Sequence, residues 1–423
     1  MHAESTKNQL QPITVYSAYA TPINQDKTAS SVTVLTEKDF AERNATYVSD
    51  VLKTVLGVAF SASGGRGTLS NFYLRGADAN HTSVIIDGVK VNPVSGYGFD
   101  FGGLSLSNVE RIEVLRGEQS ALWGSDAMGG VVYITKSGLY KGKPFNIDFD
   151  FGAGSHRTLD GSVTVSGYNK GFYYALQGDS HKTAGISART TETQGNTTYV
   201  ATEKDKFHRD SGSLRLGYDD NDKGIELLAK HSSQTVHFDN SVQYEKNADD
   251  RTRTKDTQFK LSGYVGNSND LFVHKANVSH IKTKSETTQY NKYSTKVENK
   301  DYESKKLAAS YQLDVNFDNQ GEVKQAVSLL TDYQHSKYVN SGYNYVPKKL
   351  IEKSIAAEYR LFTEQDHSLS LSGRYTDNSQ FENAFTARLA GAYRFSPNIK
   401  SHASFGKAIH NPTMSEYYGW DGN

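Results

Sequence analysis

The stretch "LRGEQSALWGSDAMGGVVYITKSG" (Leu115–Gly138) decides how the first third of the chain is interpreted. Its glycines come close to the phosphate-binding loop G-x-x-x-x-G-K-[ST], in which the lysine reaches the phosphates and the hydroxyl binds magnesium. Here Gly130 stands at the lysine position and Val131 at the hydroxyl position. A phosphate loop also opens a helix, whereas "VVYIT" at 131–135 is β-branched and aromatic and predicts a strand. We therefore predict that Gly124, Gly129 and Gly130 allow positive φ angles and close backbone packing, and that they do not bind phosphate.

The composition favours extended structure. The chain has 423 residues, formal net charge zero and no cysteine, so it gives no indication of nucleic-acid binding and excludes disulfides and thiolate sites. The 27 Tyr, 19 Phe and 36 Gly against 7 Pro are typical of β structure with many turns. No apolar window approaches the roughly 20 residues of a membrane-spanning helix, but a transmembrane β-strand needs only about 10 alternating residues. The first residues, "MHAESTKNQL", lack the apolar core of a signal peptide.

Residues 30–140 predict a compact α+β domain. The segment 30–58 begins as a strand and continues as a helix from about Glu37, which Gly57 ends. Short strands follow, with an Asp-Gly turn at 87–88. They are predicted at 71–76, 83–91, 109–117 and 130–138.

After residue 144 the chain alternates apolar and polar residues, as in "FNIDFDFGAG", "SLRLGY" and "QFKLSGYV". From the third strand on, long polar links alternate with tight turns such as "DDND" and "NSND". Long loops on one side and short turns on the other are typical of an outer-membrane barrel. Residues 141–423 therefore predict an antiparallel transmembrane β-barrel of about 13 strands, behind an N-terminal tail at 1–29 and the α+β domain at 30–140.

Two runs in the α+β domain carry a family resemblance. "NFYLRGADANHTSVIIDGVKVN" (71–92), followed by "NVERIEVLRGEQSALWGSDAMGGVVYIT" (108–135), resembles the plug domain of TonB-dependent outer-membrane receptors, with several motifs in order at family spacing. Within that family the chain is most similar to the cobalamin-receptor branch. The resemblance implies an α+β plug inside a transmembrane barrel, a location in the bacterial outer membrane, and active uptake of a scarce ligand instead of catalysis.

The resemblance also implies a partner, the energy transducer TonB, which engages a short N-terminal segment. The segment "PITVYSA" (Pro12–Ala18) is the candidate TonB box, because an extended β-branched segment can add to a partner's sheet edge. An ordinary first strand is the alternative for this segment. The residues predicted to bind TonB are Pro12, Ile13, Thr14, Val15, Tyr16 and Ser17.

Ligand contacts are carried over from the family's apical loops, here 61–71, 77–80 and 93–103. Polar and backbone groups would bond amide or phosphate edges of the ligand, and aromatic rings would cover its apolar surface. The alternative role for each residue is packing against the barrel wall. The predicted set is Ser63, Arg66, Leu69, Ser70, Asn71, Asp78, Asn80, Tyr97 and Phe99.

Two further sets of residues follow from the resemblance. Arg75 and Arg116 match plug arginines that the family pairs with barrel glutamates, and Glu358 is a candidate partner, since a buried arginine needs a carboxylate. No cofactor is required, but the cobalamin branch binds calcium on two neighbouring extracellular loops through aspartates, which supply the hard oxygen ligands that calcium prefers. A solvated charged loop is the alternative to a calcium site here. The candidate ligands are Asp205, Asp239, Asp249 and Asp250.

Other functions find less support in the sequence. There is no G-x-S-x-G elbow and no H-E-x-x-H motif, so no enzyme is predicted. Haem or a ferric siderophore is the alternative ligand to cobalamin. About 13 strands fall short of the roughly 22 in plugged transporters, so we expect a fragment, a truncated product or one piece of a split receptor. The intact receptor is expected to be a monomer.

Overall fold

The computed structural model describes residues 14–96, 98–136, 142–187, 191–194, 197–200, 204–238, 250–290, 297–341 and 344–418. Pro12, Ile13, Tyr97, Asp239 and Asp249 lie outside these ranges. Residues 14–136, the N-terminal domain, contain strands β1 to β9 and helices α1 to α3. The strands are Thr14–Val15, Ile23–Asn24, Val32–Thr36, Val58–Ala62, Ser70–Leu74, Thr82–Ile86, Val89–Lys90, Val109–Arg116 and Gly130–Lys136, and the helices are Glu37–Glu42, Val48–Leu52 and Ser120–Trp123.

The N-terminal domain is built on a five-stranded mixed sheet in the order β3-β8-β9-β6-β7. Only β6 and β9 run parallel, whereas the Asp87–Gly88 turn, with φ of 52° and 76°, closes the antiparallel β6–β7 hairpin. One face of the sheet carries the core, together with α1, α2 and the β4–β5 hairpin. This core includes Leu52, Phe72, Leu74, Val84, Ile112 and Ile134.

The single helix predicted from about Glu37 to Gly57 is wrong, because two helices occupy that segment. The first ends at Glu42, and Asn44 turns the chain with a φ of 47°. The carboxylate of Asp50 accepts the backbone N–H of Tyr47 at 3.0 Å and so caps a new helix. Helix α2 ends at Leu52, five residues before the predicted end at Gly57, and Gly57, with a φ of 79°, lies in the turn that precedes β4.

The glycines of the opening stretch pack closely, as predicted. Gly124 has a φ of 72° after α3. A Cβ added at Gly129 would lie 2.7 Å from the Ala77 Cβ, and one at Gly130 would lie 2.2 Å from the Leu115 carbonyl oxygen. The residues that follow Gly130 form β9, not a helix, so the backbone geometry of a phosphate loop is absent from this segment.

The second part of the chain forms a 13-stranded antiparallel sheet, the large sheet. Its order is β10-β11-β12, then β15 to β24 in sequence, and it is not closed among the described strands. A small hairpin, β13–β14, interrupts the order, and helix α4 follows β24. The bounds are Asn146–Gly154, Thr158–Asn169, Phe172–Thr183, Thr191–Gln194, Thr197–Val200, Phe207–Asp219, Lys223–Phe238, Asp250–Val265, Phe272–Tyr290, Val297–Asp318, Val323–Asn340, Lys348–Thr363, Ser368–Asn378, Ala384–Ser396 and Ile399–Lys407, with α4 at Met414–Tyr418.

The connections of the large sheet are sorted by rim, which agrees with the predicted alternation of links. One edge, the short-turn rim, carries 170–171, 220–222, 266–271, 319–322, 364–367 and 397–398. The other, the long-loop rim, carries 155–157 and 379–383, and is the edge at which β12, β16, β18 and β20 end and β15, β17, β19 and β21 begin.

The two faces of the large sheet differ in the way a transmembrane barrel requires. Apolar side chains such as Phe149 (72% exposed) and Ile355 (65% exposed) stand on the outer face. Polar and charged side chains such as Ser166, Glu358 and Arg388 are buried on the inner face, against the N-terminal domain. None of the described helices has the length and apolar character needed to cross a membrane.

Candidate functional site

Two of the three predicted ligand loops lie side by side at the long-loop rim. One oxygen of Asp100 accepts the backbone N–H groups of Ser70 and Gly102, both at 2.9 Å, and the Gly67 N–H donates to the Gly102 carbonyl at 3.0 Å. Burial raises the pKa of Asp100 to about 6, against the lowering effect of these two donors. Asp100 therefore joins loop 61–71 to loop 93–103.

These two loops contact the inner face of the large sheet near the long-loop rim. Arg209, near the start of β15, donates to the Gly103 carbonyl at 2.5 Å. The ring of Phe207 lies against Gly67, where an added Cβ would lie 1.9 Å from a ring carbon. The joined loops are thus held at the rim where the long connections emerge.

The predicted ligand residues divide by exposure. Ser63, Arg66, Leu69 and Asp78 are exposed, Asn71 and Phe99 are half-buried, and Ser70 and Asn80 are buried. Ser70 is used internally, since its hydroxyl donates to the Thr68 carbonyl at 3.1 Å. Phe99 packs against Phe101 with ring centroids 4.9 Å apart. The exposed members form the accessible part of the predicted site.

Arg66 is held in place by an aromatic ring. Its guanidinium lies 4.6 Å from the centroid of Tyr47, and the Tyr47 hydroxyl donates to Asp160 of β11 at 3.4 Å. Burial, and then the charge of Asp160, raises the pKa of Tyr47 to about 12. The guanidinium of Arg66 is therefore held against the ring of Tyr47 at the long-loop rim.

Asn80 contacts the segment that follows β24. Its amide donates to Glu416 at 2.7 Å and lies 3.2 Å from His410 Nε2. His410 Nδ1 lies 2.9 Å from Asp126, which also pairs with Lys90 at 3.0 Å. The side chain of Asn80 is thus engaged by residues 410–416.

The pKa values of Asp126 and His410 are shifted by burial and by the charged groups around them. Burial raises the pKa of Asp126, but Lys90 and His410 outweigh it and hold that pKa well below its usual range. Burial lowers the pKa of His410, but the hydrogen bond to Asp126 outweighs it, so the pKa of His410 is raised. Both groups are therefore favoured in their charged forms.

The described part of the candidate TonB box, residues 14–18, is folded against the N-terminal domain. Its residues Thr14 and Val15 pair with Ile23–Asn24. The buried carboxylate of Glu113 accepts the backbone N–H of Tyr16 and the N–H and hydroxyl of Ser17, the last at 2.7 Å. Burial raises the pKa of Glu113, against these hydrogen bonds.

The residues after this segment contact the large sheet close to the short-turn rim. The Ala20 N–H donates to Glu358 at 3.0 Å, and Lys400, at the start of β24, donates to the carbonyl of Asp26. The N-terminal segment and the predicted ligand loops therefore lie at opposite ends of the molecule.

The predicted pairing of plug arginines with Glu358 is not seen. Arg116 donates to the Leu56 carbonyl at 3.0 Å and the Thr33 hydroxyl at 2.9 Å, and within the described ranges neither Arg116 nor the exposed Arg75 has a carboxylate at salt-bridge distance. Glu358 instead accepts Arg360 at 3.4 Å and Ala20. Carbonyl and hydroxyl oxygens satisfy the Arg116 guanidinium, so it needs no carboxylate.

Asp87 connects the N-terminal domain to the large sheet, which is the role predicted for Arg75 and Arg116. Its carboxylate lies 2.7 Å from Lys230 and 3.0 Å from Arg215, and its carbonyl accepts Lys260 at 2.9 Å. A second contact pairs Arg388 with Glu118 at 3.5 Å. The sequence identified Asp87 only as a turn residue, because nothing local marks residues 143 positions away as its partners.

The candidate calcium ligands are only partly described. Asp205 and Asp250 are buried at the long-loop rim, beside the starts of β15 and β17. In the described part of the chain no three His, Cys, Asp or Glu side chains converge as a metal site would require. Calcium binding by these loops stays a prediction.

Two family models match consecutive parts of the chain. Residues 24–131 match the TonB-dependent receptor plug domain, and residues 140–423 match the TonB-dependent receptor-like β-barrel.

Two curated relatives are vitamin B12 transporters named BtuB. One from Vibrio vulnificus (strain YJ016) is 35% identical over 130 residues, 31% of this chain and 21% of that protein. One from Vibrio cholerae (strain O395) is 24% identical over 421 residues, 97% of this chain. The chain spans 65% of the length of this second relative.

Solved structures share the fold. A ferric enterobactin receptor (PfeA) mutant from Pseudomonas aeruginosa superimposes with a TM-score of 0.75 at 16% identity, covering 96% of this chain and 64% of that one. The siderophore receptor PirA from Acinetobacter baumannii gives 0.73 at 17% identity, covering 90% and 61%.

Proposed function

The chain belongs to the TonB-dependent receptors, and we propose that it functions in TonB-driven uptake of cobalamin across the bacterial outer membrane. The observation that carries this proposal is the arrangement of two predicted sites at opposite rims. The ligand loops, joined by Asp100, lie at the long-loop rim, and the candidate TonB box lies towards the short-turn rim. In an outer-membrane barrel, long loops are extracellular and short turns periplasmic, so each site faces the compartment of its partner.

The N-terminal segment suits a partner that binds by strand addition. Thr14–Val15 is already extended and pairs with only two residues of β2, so its exchange to the edge of a partner sheet breaks few hydrogen bonds. Tyr16 and Ser17 must first leave Glu113, because the partner's strand needs the same N–H groups. We infer that detachment from Glu113 precedes TonB binding.

Cobalamin is proposed as the ligand because the named relatives are vitamin B12 transporters and because the plug motifs are most similar to that branch. Haem and ferric siderophores are the alternatives. The likeness to siderophore receptors lies below 20% identity and bears on the fold alone. Exposed Arg66 and Asp78, with half-buried Asn71, supply the polar contacts that amide and phosphate groups of cobalamin require.

The test is saturation binding to the purified full chain in detergent, with cyanocobalamin, haemin and a ferric catecholate siderophore as separate probes. We expect saturable binding of cyanocobalamin that weakens by about tenfold in Arg66→Ala, since a charge-assisted contact contributes roughly 1.5–3 kcal/mol. Arg43→Ala, an exposed arginine on the C-terminal side of α1, is the matched control. Saturable binding of another probe instead would transfer the proposal to that ligand class, and no saturable binding of any probe would overturn it.

A further inference from the structure

Three cations on neighbouring strands of the large sheet converge on the turn between β6 and β7. Arg215 of β15 and Lys260 of β17 lie in one row across the inner face, on either side of Leu228 of β16. Lys230 follows two residues after Leu228, so its side chain stands on the same face. At about 4.8 Å per strand, the backbones of Arg215 and Lys260 are roughly 10 Å apart. We call Arg215, Lys230 and Lys260 the basic cluster.

A side chain of the N-terminal domain fills the basic cluster in this structure. The carboxylate of Asp87 lies 2.7 Å from Lys230 and 3.0 Å from Arg215, and the Asp87 carbonyl accepts Lys260 at 2.9 Å. The side chains of the three cations are between 11% and 18% exposed, so solvent screens their charges little. The cluster therefore has the geometry of a site for one small anion, and Asp87 supplies that anion.

The basic cluster would keep a need for negative charge if Asp87 left it. Glu226 lies 3.1 Å from Arg215 and 3.7 Å from Lys260, whereas Lys230 contacts the carboxylate of Asp87. Removing one partner of a buried ion pair is costly because it leaves a charge uncompensated. An anion that took the place of Asp87 would therefore be bound favourably.

The turn that carries Asp87 lies at the edge of the five-stranded sheet. Strand β7 is the last strand of that sheet, and it pairs with β6 through two residues. The Asp87 N–H donates to the Ile134 carbonyl at 2.9 Å. A movement of this turn away from the large sheet therefore breaks few backbone hydrogen bonds, and the ion pairs of Asp87 are the main contacts that it must exchange.

A cavity of about 380 Å³ adjoins the basic cluster. Its lining includes Gly88 and Lys260, and also Asp219 and Gly224, which lie beside the connection 220–222 of the short-turn rim. The volume is within the range of roughly 300–1,000 Å³ that is usual for small-molecule sites. The cavity thus connects the basic cluster with the short-turn rim, which is the periplasmic side under the proposed function.

We propose that the basic cluster is a transit site for a phosphodiester group of the transported solute, which takes the place of Asp87 when the β6–β7 turn withdraws. This proposal rests on the proposed uptake function, because TonB-driven movement of the N-terminal domain is what withdraws the turn. A phosphodiester shares one negative charge between two oxygens, as a carboxylate does, so it accepts the same charged donors. Asp87 is then a built-in competitor that keeps the site closed until the domain moves.

The test uses Asp87→Gly, which removes the side chain from the basic cluster and tolerates the φ of 52°. The purified full chain in detergent is titrated at constant ionic strength with dimethyl phosphate, an anionic phosphodiester, or with trimethyl phosphate, which has a similar shape and no charge. The urea midpoint is measured by tryptophan fluorescence at each concentration. D87G/K230Q removes one cation of the cluster, and D87G/K230R keeps its charge. Glu118→Gln is the matched control, because it removes a carboxylate of the N-terminal domain from a single cation, Arg388.

Dimethyl phosphate should raise the urea midpoint of Asp87→Gly, because a ligand that binds the folded state stabilises it. It should leave the wild type unchanged, since Asp87 already fills the site. The apparent affinity should fall about tenfold in D87G/K230Q and be kept in D87G/K230R, since one charge-assisted contact is lost in the first variant alone. If Asp87→Gly is unfolded without the probe, dimethyl phosphate should restore its folded fluorescence.

Three results would overturn the proposal. They are no response of Asp87→Gly to dimethyl phosphate, an equal response to trimethyl phosphate, and an equally strong response of Glu118→Gln. Because neither cobalamin nor TonB enters this assay, its failure is distinguishable from failure of the proposed uptake function.

Discussion

The carboxylate of Asp87 lies 2.7 Å from the ammonium of Lys230, which joins the β6–β7 hairpin of the N-terminal domain to β16 of the large sheet. Arg215 and Lys260, from the two neighbouring strands, contact the same turn. The Asp87 side chain is only 2% exposed, so solvent screens these charges little. One turn of the N-terminal domain is thereby fixed to three adjacent strands.

Asp87→Asn should loosen this attachment. Asparagine tolerates the φ of 52°, so the turn is kept while the charge is lost and Lys230 is left without its carboxylate. Removing one partner of a buried pair costs roughly 3–5 kcal/mol. Urea titration of the full chain, followed by tryptophan fluorescence, should show an earlier transition.

Asp220→Asn is the control for this change, since Asp220 lies in an exposed turn of the short-turn rim. It should leave the urea midpoint unchanged. If both variants unfold at the wild-type midpoint, Asp87 does not anchor the domain.

Glu113→Gln should release the N-terminal segment. The glutamine side chain carries an NH₂ group in place of one carboxylate oxygen, and this group cannot accept the backbone N–H groups of Tyr16 and Ser17. Hydrogen bonds to a charged group contribute roughly 1.5–3 kcal/mol each. Because the chain has no cysteine, Ala18→Cys gives one buried thiol as a probe. Its maleimide labelling should become at least about tenfold faster in the Glu113→Gln background.

Glu110→Gln, an exposed glutamate on the same strand, supplies the comparison. Its labelling rate should match that of the Ala18→Cys parent. Equal rates in all three proteins would mean that Glu113 does not retain the segment.

The architecture could be predicted because its signals are local. Period-2 alternation and the two classes of connection lie within each hairpin, and they predicted the 13 strands of the large sheet. Gly130 and "VVYIT" predicted a packed turn and a strand from a few residues alone. The predicted single helix is wrong for a local reason, since the carboxylate of Asp50 caps a new helix at Tyr47, three residues away.

The contacts between domains could not be predicted in this way. The sequence predicts Glu358 as the partner of Arg116, but Arg116 donates to Leu56 and Thr33, and Glu358 accepts from Ala20 and Arg360. A buried charge predicts that a partner exists, and the sequence does not say which one lies near. Asp87 and Lys230 are 143 residues apart, and only the packed structure brings them together.

Gly130→Ala should destabilise the N-terminal domain. The added methyl would lie 2.2 Å from the Leu115 carbonyl oxygen and 2.6 Å from the Leu74 side chain. The carbonyl belongs to the paired strand β8 and cannot move freely, so overpacking should cost about 1–3 kcal/mol. Gly65→Ala, where a Cβ meets nothing within 4 Å, is the control, and equal thermal midpoints for the two variants would contradict the packing role.

The contact between His410 and Asp126 should weaken as the pH rises above neutrality. The pKa of His410 is raised above its ordinary 6.5, so its contribution is full below pH 6.5 and is lost as the pH rises through the raised value. The pKa of Asp126 is depressed below its ordinary 3.8, so its contribution is present above pH 3.8 and is lost only as the pH falls through the depressed value. The contact is therefore strongest in the mildly acidic range between them.

Hydrogen exchange at the Met414 amide reports this contact, because that N–H donates to the Val94 carbonyl at 3.1 Å and so joins residues 410–418 to the N-terminal domain. After correction for the intrinsic rate, protection should fall between pH 6 and pH 8.5 in the wild type. His410→Gln removes the titrating group, so its protection should be lower at pH 6 and should not change over this range. A wild-type profile as flat as that of the variant would show that His410 does not control the attachment.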